Sequence, residues 1–268
     1  MPISKTIIHE SPSTMRAMAR QVLKGRWFEA FLVLLISYLL TNVPAYVLEH
    51  ISDAPAVQWI SSLYNILISG PVSLGLAAYF LKVFRRKPGG PSDLKEAFSL
   101  FNPAVTLYIN IWFYTFLWTL LFIVPGIIAA IRYSQAWFIL ADDPSKSPRQ
   151  CIEESKYMME GNKATFALLI LSFFGWIFLS NIPQVLVQYL TDPDFVTNVQ
   201  NMMQYGASQI SPVSVKTNIW VELAALLSIF VEVYVYASEA CFYDLLTGNI
   251  VVAQQSDYNY TEESNGSL

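Results

Sequence analysis

Apolar positions along this chain fall in five long blocks, Trp27–Val47, Val57–Phe80, Thr106–Ala141, Thr165–Leu190 and Ile219–Leu246. Each approaches or exceeds the roughly 20 residues a helix needs to cross a bilayer. The alternating segments of about ten residues that build a transmembrane β-barrel are absent. The pattern predicts an all-α, polytopic transmembrane helical bundle: one integral membrane domain over residues 1–248 and a polar, mostly disordered tail over 249–268.

The block Thr106–Ala141 decides the topology. It holds 36 residues, interrupted by Pro125-Gly126 and by Arg132. As one straight helix it would run about 54 Å, against a hydrocarbon core of about 30 Å. Pro125 removes the backbone bond to Leu121 and clashes with its carbonyl, and Gly126 adds conformational freedom. Either a hairpin turns at Pro125-Gly126 or one long helix kinks there.

Lysine and arginine placement separates the two. Orientation follows basic residues in short loops. They are dense in the N-terminal segment (Lys5, Arg16, Arg20, Lys24, Arg26), after the second block (Lys82, Arg85, Arg86, Lys87, Lys95) and in Asp142–Ala164 (Lys146, Arg149, Lys156, Lys163). Glu49–Ala56 has none and Thr191–Asn218 only Lys216. A single crossing puts the four basic residues of Asp142–Ala164 outside. A hairpin brings every dense cluster to one side. The expectation is therefore six membrane segments in three hairpins, about 27–47, 57–82, 106–124, 126–141, 165–190 and 219–246, with both termini cytoplasmic. The fourth, at 16 residues, is short enough to tilt or to thin the bilayer. Trp27, Trp59 and Trp220 fall at predicted interfaces, whereas Trp112, Trp118, Trp137 and Trp176 fall deeper and read as packing residues.

Between the spans, short amphipathic helices are predicted on the cytoplasmic side. Over Ser13–Arg26, Met15, Met18, Ala19, Val22 and Leu23 share one face, with Arg16, Arg20 and Lys24 on another. That is the pattern of an in-plane helix on an anionic leaflet, with Arg16, Arg20, Lys24 and Arg26 reaching headgroups. A solvated helix leading into the first span gives the same pattern. A second helix is expected over Ser147–Glu160, with Ser147 as cap, Pro148 at the first position and Gly161 ending it. A shorter one, Ser92–Phe101, precedes the third segment. A shift of 136 positions aligns Arg20 with Lys156, Val22-Leu23 with Met158-Met159 and Gly25 with Gly161. A shift of 139 aligns Asn42-Val43-Pro44 with Asn181-Ile182-Pro183. Both point to a repeated unit of one surface helix and two spans. Thr191–Asn218, bounded by Pro193 and Pro212, is expected to carry a short amphipathic helix through Phe195, Val196, Val199 and Met202-Met203.

Composition adds little beyond this. Charged residues are 13% of the chain, about half the usual share, as a membrane protein requires. Residues 1–26 are polar and the first block is too long for a signal-peptide core, so a retained signal anchor is expected. Cys151 and Cys241 have no ligand spacing, and His9 and His50 are isolated. No phosphate loop, zinc-protease motif or nucleophile elbow occurs, so no catalysis, cofactor, metal or nucleic-acid partner is expected.

The remaining chemistry is intramembrane charge. Arg132 is the one basic residue deep in an apolar block, and the last block carries Glu222, Glu232, Glu239 and Asp244. Matching depths predicts an Arg132–Glu232 pair, with Glu239 second. Glu222 and Asp244, near the block's ends, are expected at the interface. Such a pair either locks two helices or serves transport. Gly70, Ser73 and Gly75 let helices approach closely, and Pro71 is positioned to interrupt the second span.

The run LWTLLFIVPGIIAAIRYSQAWFILADDPSKSPRQCIEESKYMMEGNK, Leu117–Lys163, resembles the bacterial integral-membrane family known as domain of unknown function 975. LKGRW at Leu23–Trp27, GPVSLG at Gly70–Gly75, SFFGW at Ser172–Trp176 and EACFYDLL at Glu239–Leu246 fit it in order. The family often has a basic residue just after Pro-Gly-Ile-Ile; here Ala129 stands there and Arg132 comes three later. The resemblance implies a multi-pass protein of the bacterial cell membrane and carries no activity. The expected function is non-enzymatic, through membrane lipids with anionic headgroups or a membrane protein partner. The alternative is a small transporter or permease-like protein using Arg132 and Glu232.

Overall fold

Helices account for every regular element among the described residues of the computed structural model, which are 6–51, 54–191, 197, 200, 204 and 219–249. In chain order they are α1 (Pro12–Leu23), α2 (Trp27–Ile51), α3 (Pro55–Phe84), α4 (Pro91–Ala97), a 3-10 turn (Phe98–Leu100), α5 (Phe101–Leu121), α6 (Ile123–Tyr133), α7 (Ala136–Asp142), α8 (Pro148–Met158), α9 (Lys163–Leu171), α10 (Phe174–Thr191), α11 (Ile219–Ala225) and α12 (Ser228–Thr247). Six helical stretches are long and apolar enough to cross a membrane: Trp27–Leu48, Ala56–Phe84, Pro91–Leu121, Ile123–Asp142, Lys163–Thr191 and Leu223–Thr247. The chain is an all-α multi-pass membrane protein. Phe195, Val196, Val199 and Met202-Met203, through which a helix is expected within Thr191–Asn218, and the tail beyond Asn249 lie outside the described residues.

The chain divides into two compact units, Met1–Ser172 with Val233–Leu268, and Phe173–Glu232. In the first, the core is built where α3 meets its neighbours. Tyr79, Phe80, Leu74 and Leu107 are fully buried, and the ring of Phe80 stacks on Tyr236 at 5.4 Å. Gly70 and Gly75 make close approach possible. A Cβ on Gly70 would lie 2.7 Å from the Ala104 carbonyl oxygen, and one on Gly75 2.8 Å from the Leu94 Cα. Pro71 does not interrupt α3, which runs unbroken through it. In the second unit α10 and α11 pack together.

The long apolar block folds back on itself, but not at Pro125-Gly126. Phe122 is extended (φ −161°, ψ 152°) and separates α5 from α6. The rings of Tyr114 and Tyr133, 19 positions apart in sequence, lie 6.2 Å apart, so the two helices return antiparallel. On a continuous helix those rings would be separated by about 28 Å. Pro125 sits in the first turn of α6, where its missing N–H costs no helical bond. Gly126 serves the return itself: a Cβ there would meet the Thr119 Cα at 2.9 Å. The helical run that holds the first leg begins earlier than the leg expected from sequence, because α4, the 3-10 turn and α5 follow one another as Pro91–Leu121.

Three of the four tryptophans expected in packing roles face outward, whereas Trp137 on α7 is half-buried. Trp112, Trp118 and Trp176 are 58%, 42% and 56% exposed, beside exposed Phe113, Phe116, Leu120 and Leu121 on α5. In a bilayer an outward aromatic surface meets acyl chains, so burial in protein is not required.

The two surface-helix junctions share their local geometry. Ser11 caps α1 and Ser147 caps α8, each followed by a proline at the first helical position. Gly25 (φ +83°) and Gly161 (φ +86°) then turn each chain, in the left-handed region that glycine adopts without penalty, into an apolar helix. Shifting by 136 superposes all three pairs in sequence. The Asn-x-Pro matches also behave alike: Asn42 Nδ2 donates to the Tyr38 carbonyl at 2.9 Å and Asn181 Nδ2 to the Ile177 carbonyl at 2.7 Å. Pro44 leaves the Leu40 carbonyl without its helical donor, and Tyr64 Oη supplies one at 2.6 Å.

Candidate functional site

Charged side chains gather where α3, α7 and α12 end. Arg85, just past α3, reaches two carboxylates at once. Its Nε and Nη2 donate to Asp244 on α12 at 2.8 to 3.2 Å, and its Nη2 donates to Asp142 at the end of α7 at 3.1 Å, with Nη1 on the other Asp142 oxygen. Tyr243 Oη donates to Asp142 Oδ2 at 3.2 Å, and Asn249 Nδ2 to Asp244 Oδ1 at 3.3 Å. The planar guanidinium suits this double fork. Burial opposes the Arg85 charge, but the bonds to Asp142 and Asp244 outweigh it and hold its pKa above the usual value. Asp244, near the end of the last apolar block, is 2% exposed, covered where Arg85 reaches it from the end of α3.

A second set of polar groups surrounds α8. Lys146 pairs with Glu154 at 2.9 Å and Lys156 with Glu153 at 2.8 Å. The Lys156 hydrogen bond, with Arg149 and Arg132 nearby, holds the Glu153 carboxyl below its usual pKa. Asp143 accepts from the backbone N–H and hydroxyl of Ser145, which lowers its pKa as well and closes the turn after α7. Cys151 is buried on α8, and burial pushes its thiol up to about 11. Ser155, fully buried, bridges the break between α6 and α7: its hydroxyl donates to the Arg132 carbonyl at 2.7 Å and accepts from the Gln135 N–H at 3.3 Å.

Arg132 lies one residue before the end of α6, at Tyr133, and its carbonyl faces α8. Arg132 Nε is buried without a hydrogen-bond acceptor, and within its own unit no described carboxylate forms an ion pair with it. Glu239, the second-choice partner, is half-buried on α12 and does not receive it. Glu232, exposed, belongs to the second unit, and the side chain of Glu222 lies outside the described residues.

The four basic residues assigned to a lipid surface divide into two kinds. On α1, Met15, Ala19 and Leu23 are fully buried, so the apolar face is covered by protein. Arg16 is half-buried, its Nη1 donating to the Ser172 carbonyl at 3.3 Å, and its own carbonyl accepts from Tyr234 Oη at 3.0 Å. Arg26 pairs with Glu29 at 3.2 Å and donates to the Lys87 carbonyl at 3.1 Å. Arg20 and Lys24 are exposed. At the matching junction Asn162, fully buried, accepts from the Ile8 N–H at 2.9 Å and donates to the Thr6 carbonyl at 2.8 Å. The residue after each left-handed glycine thus ties a distant backbone segment to the start of a spanning helix.

Sequence reasoning missed the Arg85–Asp142–Asp244 cluster. Its one signal was the placement of all three residues at the ends of apolar blocks that the topology brings to one side. Among the described residues no group of three His, Cys, Asp or Glu side chains is arranged to hold a metal ion, and Cys151 and Cys241 are both free and buried.

A multi-pass bundle with charge clusters at one set of helix ends defines an integral membrane protein with an ordered polar face. The family model described as protein of unknown function (DUF975) matches residues 106–249, just over half of the chain, and the chain belongs to that family. No curated protein and no solved structure matches it.

Proposed function

We propose that this chain is a non-enzymatic protein of the bacterial cell membrane, with both termini cytoplasmic, that acts through protein partners and anionic lipid at the face carrying α1, α4 and α8. The observation that carries this reading is how the charges are used. Arg85, Lys82, Lys146 and Lys156 are committed to carboxylates of the same chain. Lys82–Asp93 holds α4 against α3, Arg85 ties the ends of α3, α7 and α12, and the two lysine pairs brace α8 and the turn before it, while Arg20 on α1 and Lys24 just after it remain exposed. A fixed platform with outward cations suits recognition more than chemistry, and positive-inside placement favours the cytoplasm for it.

The transport alternative would use Arg132 and Glu232. It has weaker support, because Arg132 stands beside the amphipathic α8 at the end of α6. Crosslinking in native membranes followed by mass spectrometry tests the main reading. A specific protein neighbour joined through α1, α4 or α8 supports it. A co-purifying small molecule with no protein neighbour would favour transport.

A further inference from the structure

The junction between α1 and α2 lies against the turn after α3, and together they gather more positive charge than the sequence alone brings to one place. Arg26, one residue before α2, donates to the carbonyl of Lys87, three residues after α3 ends. Both ends flank helices long and apolar enough to span, so that hydrogen bond holds the short segments carrying Lys24, Arg26, Arg86 and Lys87 together at the same end of α2 and α3, where a bilayer's headgroups would lie. Their neutralisation is unequal. Arg26 is paired with Glu29, and the nearby Asp93 is bound by Lys82 at 2.6 Å. Among the described residues, Lys24, Arg86 and Lys87 have no carboxylate partner, and all three are exposed. Arg86 holds φ +54°, the one non-glycine among the described residues in the left-handed region. Phe28, the second residue of α2, is 73% exposed directly after this cationic set. Three cations without internal partners, at headgroup height and above an outward aromatic ring, match a phosphate that carries acyl chains.

We infer that Lys24, Arg86 and Lys87 form a binding site for the phosphate of an anionic phospholipid of the surrounding leaflet, whose chains run down past Phe28. This rests on the proposed lipid-facing role of the basic face and narrows it from the α1 stripe to an α1–α3 junction. Arg16, engaged by the Ser172 carbonyl, drops out of the site.

The test uses the full chain purified in a neutral detergent and titrated with dioctanoyl phosphatidylglycerol, dioctanoyl phosphatidylcholine or inorganic phosphate, with the thermal midpoint as readout. The glycerol lipid is expected to raise the midpoint saturably, with little effect from the choline lipid or free phosphate. In the triple variant Lys24→Gln, Arg86→Gln, Lys87→Gln the half-saturating concentration should rise on the order of 100-fold, at about fivefold per charge. The variant Lys95→Gln, Arg149→Gln, Lys163→Gln removes the same charge elsewhere and should stay near wild type. An equal rise in both variants, or none in the first, overturns the site. Equal effects of the two lipids on the wild-type chain would instead overturn the lipid-facing reading beneath it, and an equal effect of inorganic phosphate would make this a free-anion site. If the triple variant does not match the wild-type midpoint in choline lipid, Lys24→Gln and Lys87→Gln are read singly. Each is then expected to weaken binding about fivefold, and no change in either overturns the assignment.

Discussion

Arg85 and Asp244, 159 positions apart, are joined by three hydrogen bonds of 2.8 to 3.2 Å, with the Asp244 side chain 3% exposed. The same guanidinium holds Asp142 on its exposed side, so one residue ties the ends of α3, α7 and α12. Removing Arg85 strands a buried carboxylate, whereas removing Asp142 leaves Arg85 its buried partner. We expect Arg85→Ala to cost about 3–5 kcal/mol and Asp142→Asn about 1 kcal/mol or less in mixed-micelle unfolding. A double-mutant cycle of Arg85 and Asp244 should be strongly non-additive. Additive losses would show that the contact contributes nothing.

The return of α6 along α5 depends on the missing side chain at Gly126. Its Cβ would meet backbone at Thr119, and backbone does not yield as a flexible side-chain tip does. Gly126→Ala is expected to destabilise the chain by about 1–3 kcal/mol, through overpacking. A stabilising effect, as expected for Gly→Ala in an open helix, would contradict the close approach.

Ser155 satisfies two backbone groups at the break between α6 and α7. Ser155→Ala leaves the Arg132 carbonyl and the Gln135 N–H without this partner in a buried setting. The expected cost is about 1–3 kcal/mol, with faster hydrogen exchange at the Gln135 amide than at α8 amides remote from the break. Unchanged exchange there would remove Ser155 from this role.

Topology has a direct chemical readout at Ser145, exposed in the turn after α7. The native thiols leave a quiet background. Both are buried, and for Cys151 burial favours the neutral thiol up to about pH 11, so it supplies little thiolate at neutral pH. Ser145→Cys should react with a membrane-impermeant maleimide in inverted vesicles and not in intact cells. Labelling from outside the cell would overturn the cytoplasmic placement of Asp142–Ala164.

The sequence by itself determined the class of the molecule and the number of membrane legs. Block length against bilayer thickness required Thr106–Ala141 to be resolved into more than one straight helix, and the caps at Ser147 and Gly161 are local events, legible because they depend on neighbours a few positions away. The turn at Phe122 was not legible, since Pro125 and Gly126 carry the stronger breaker signal. What settled it was packing: Gly126 is wanted for its contact with Thr119, and a proline in a first turn gives up nothing. Charge partners were likewise decided only in three dimensions. Arg132, conspicuous in sequence, ends beside α8, whereas Arg85, one basic residue among several, binds two aspartates. Ion pairs follow distance through space, and hydrophobic patterning fixes which helices form without fixing which of their ends meet.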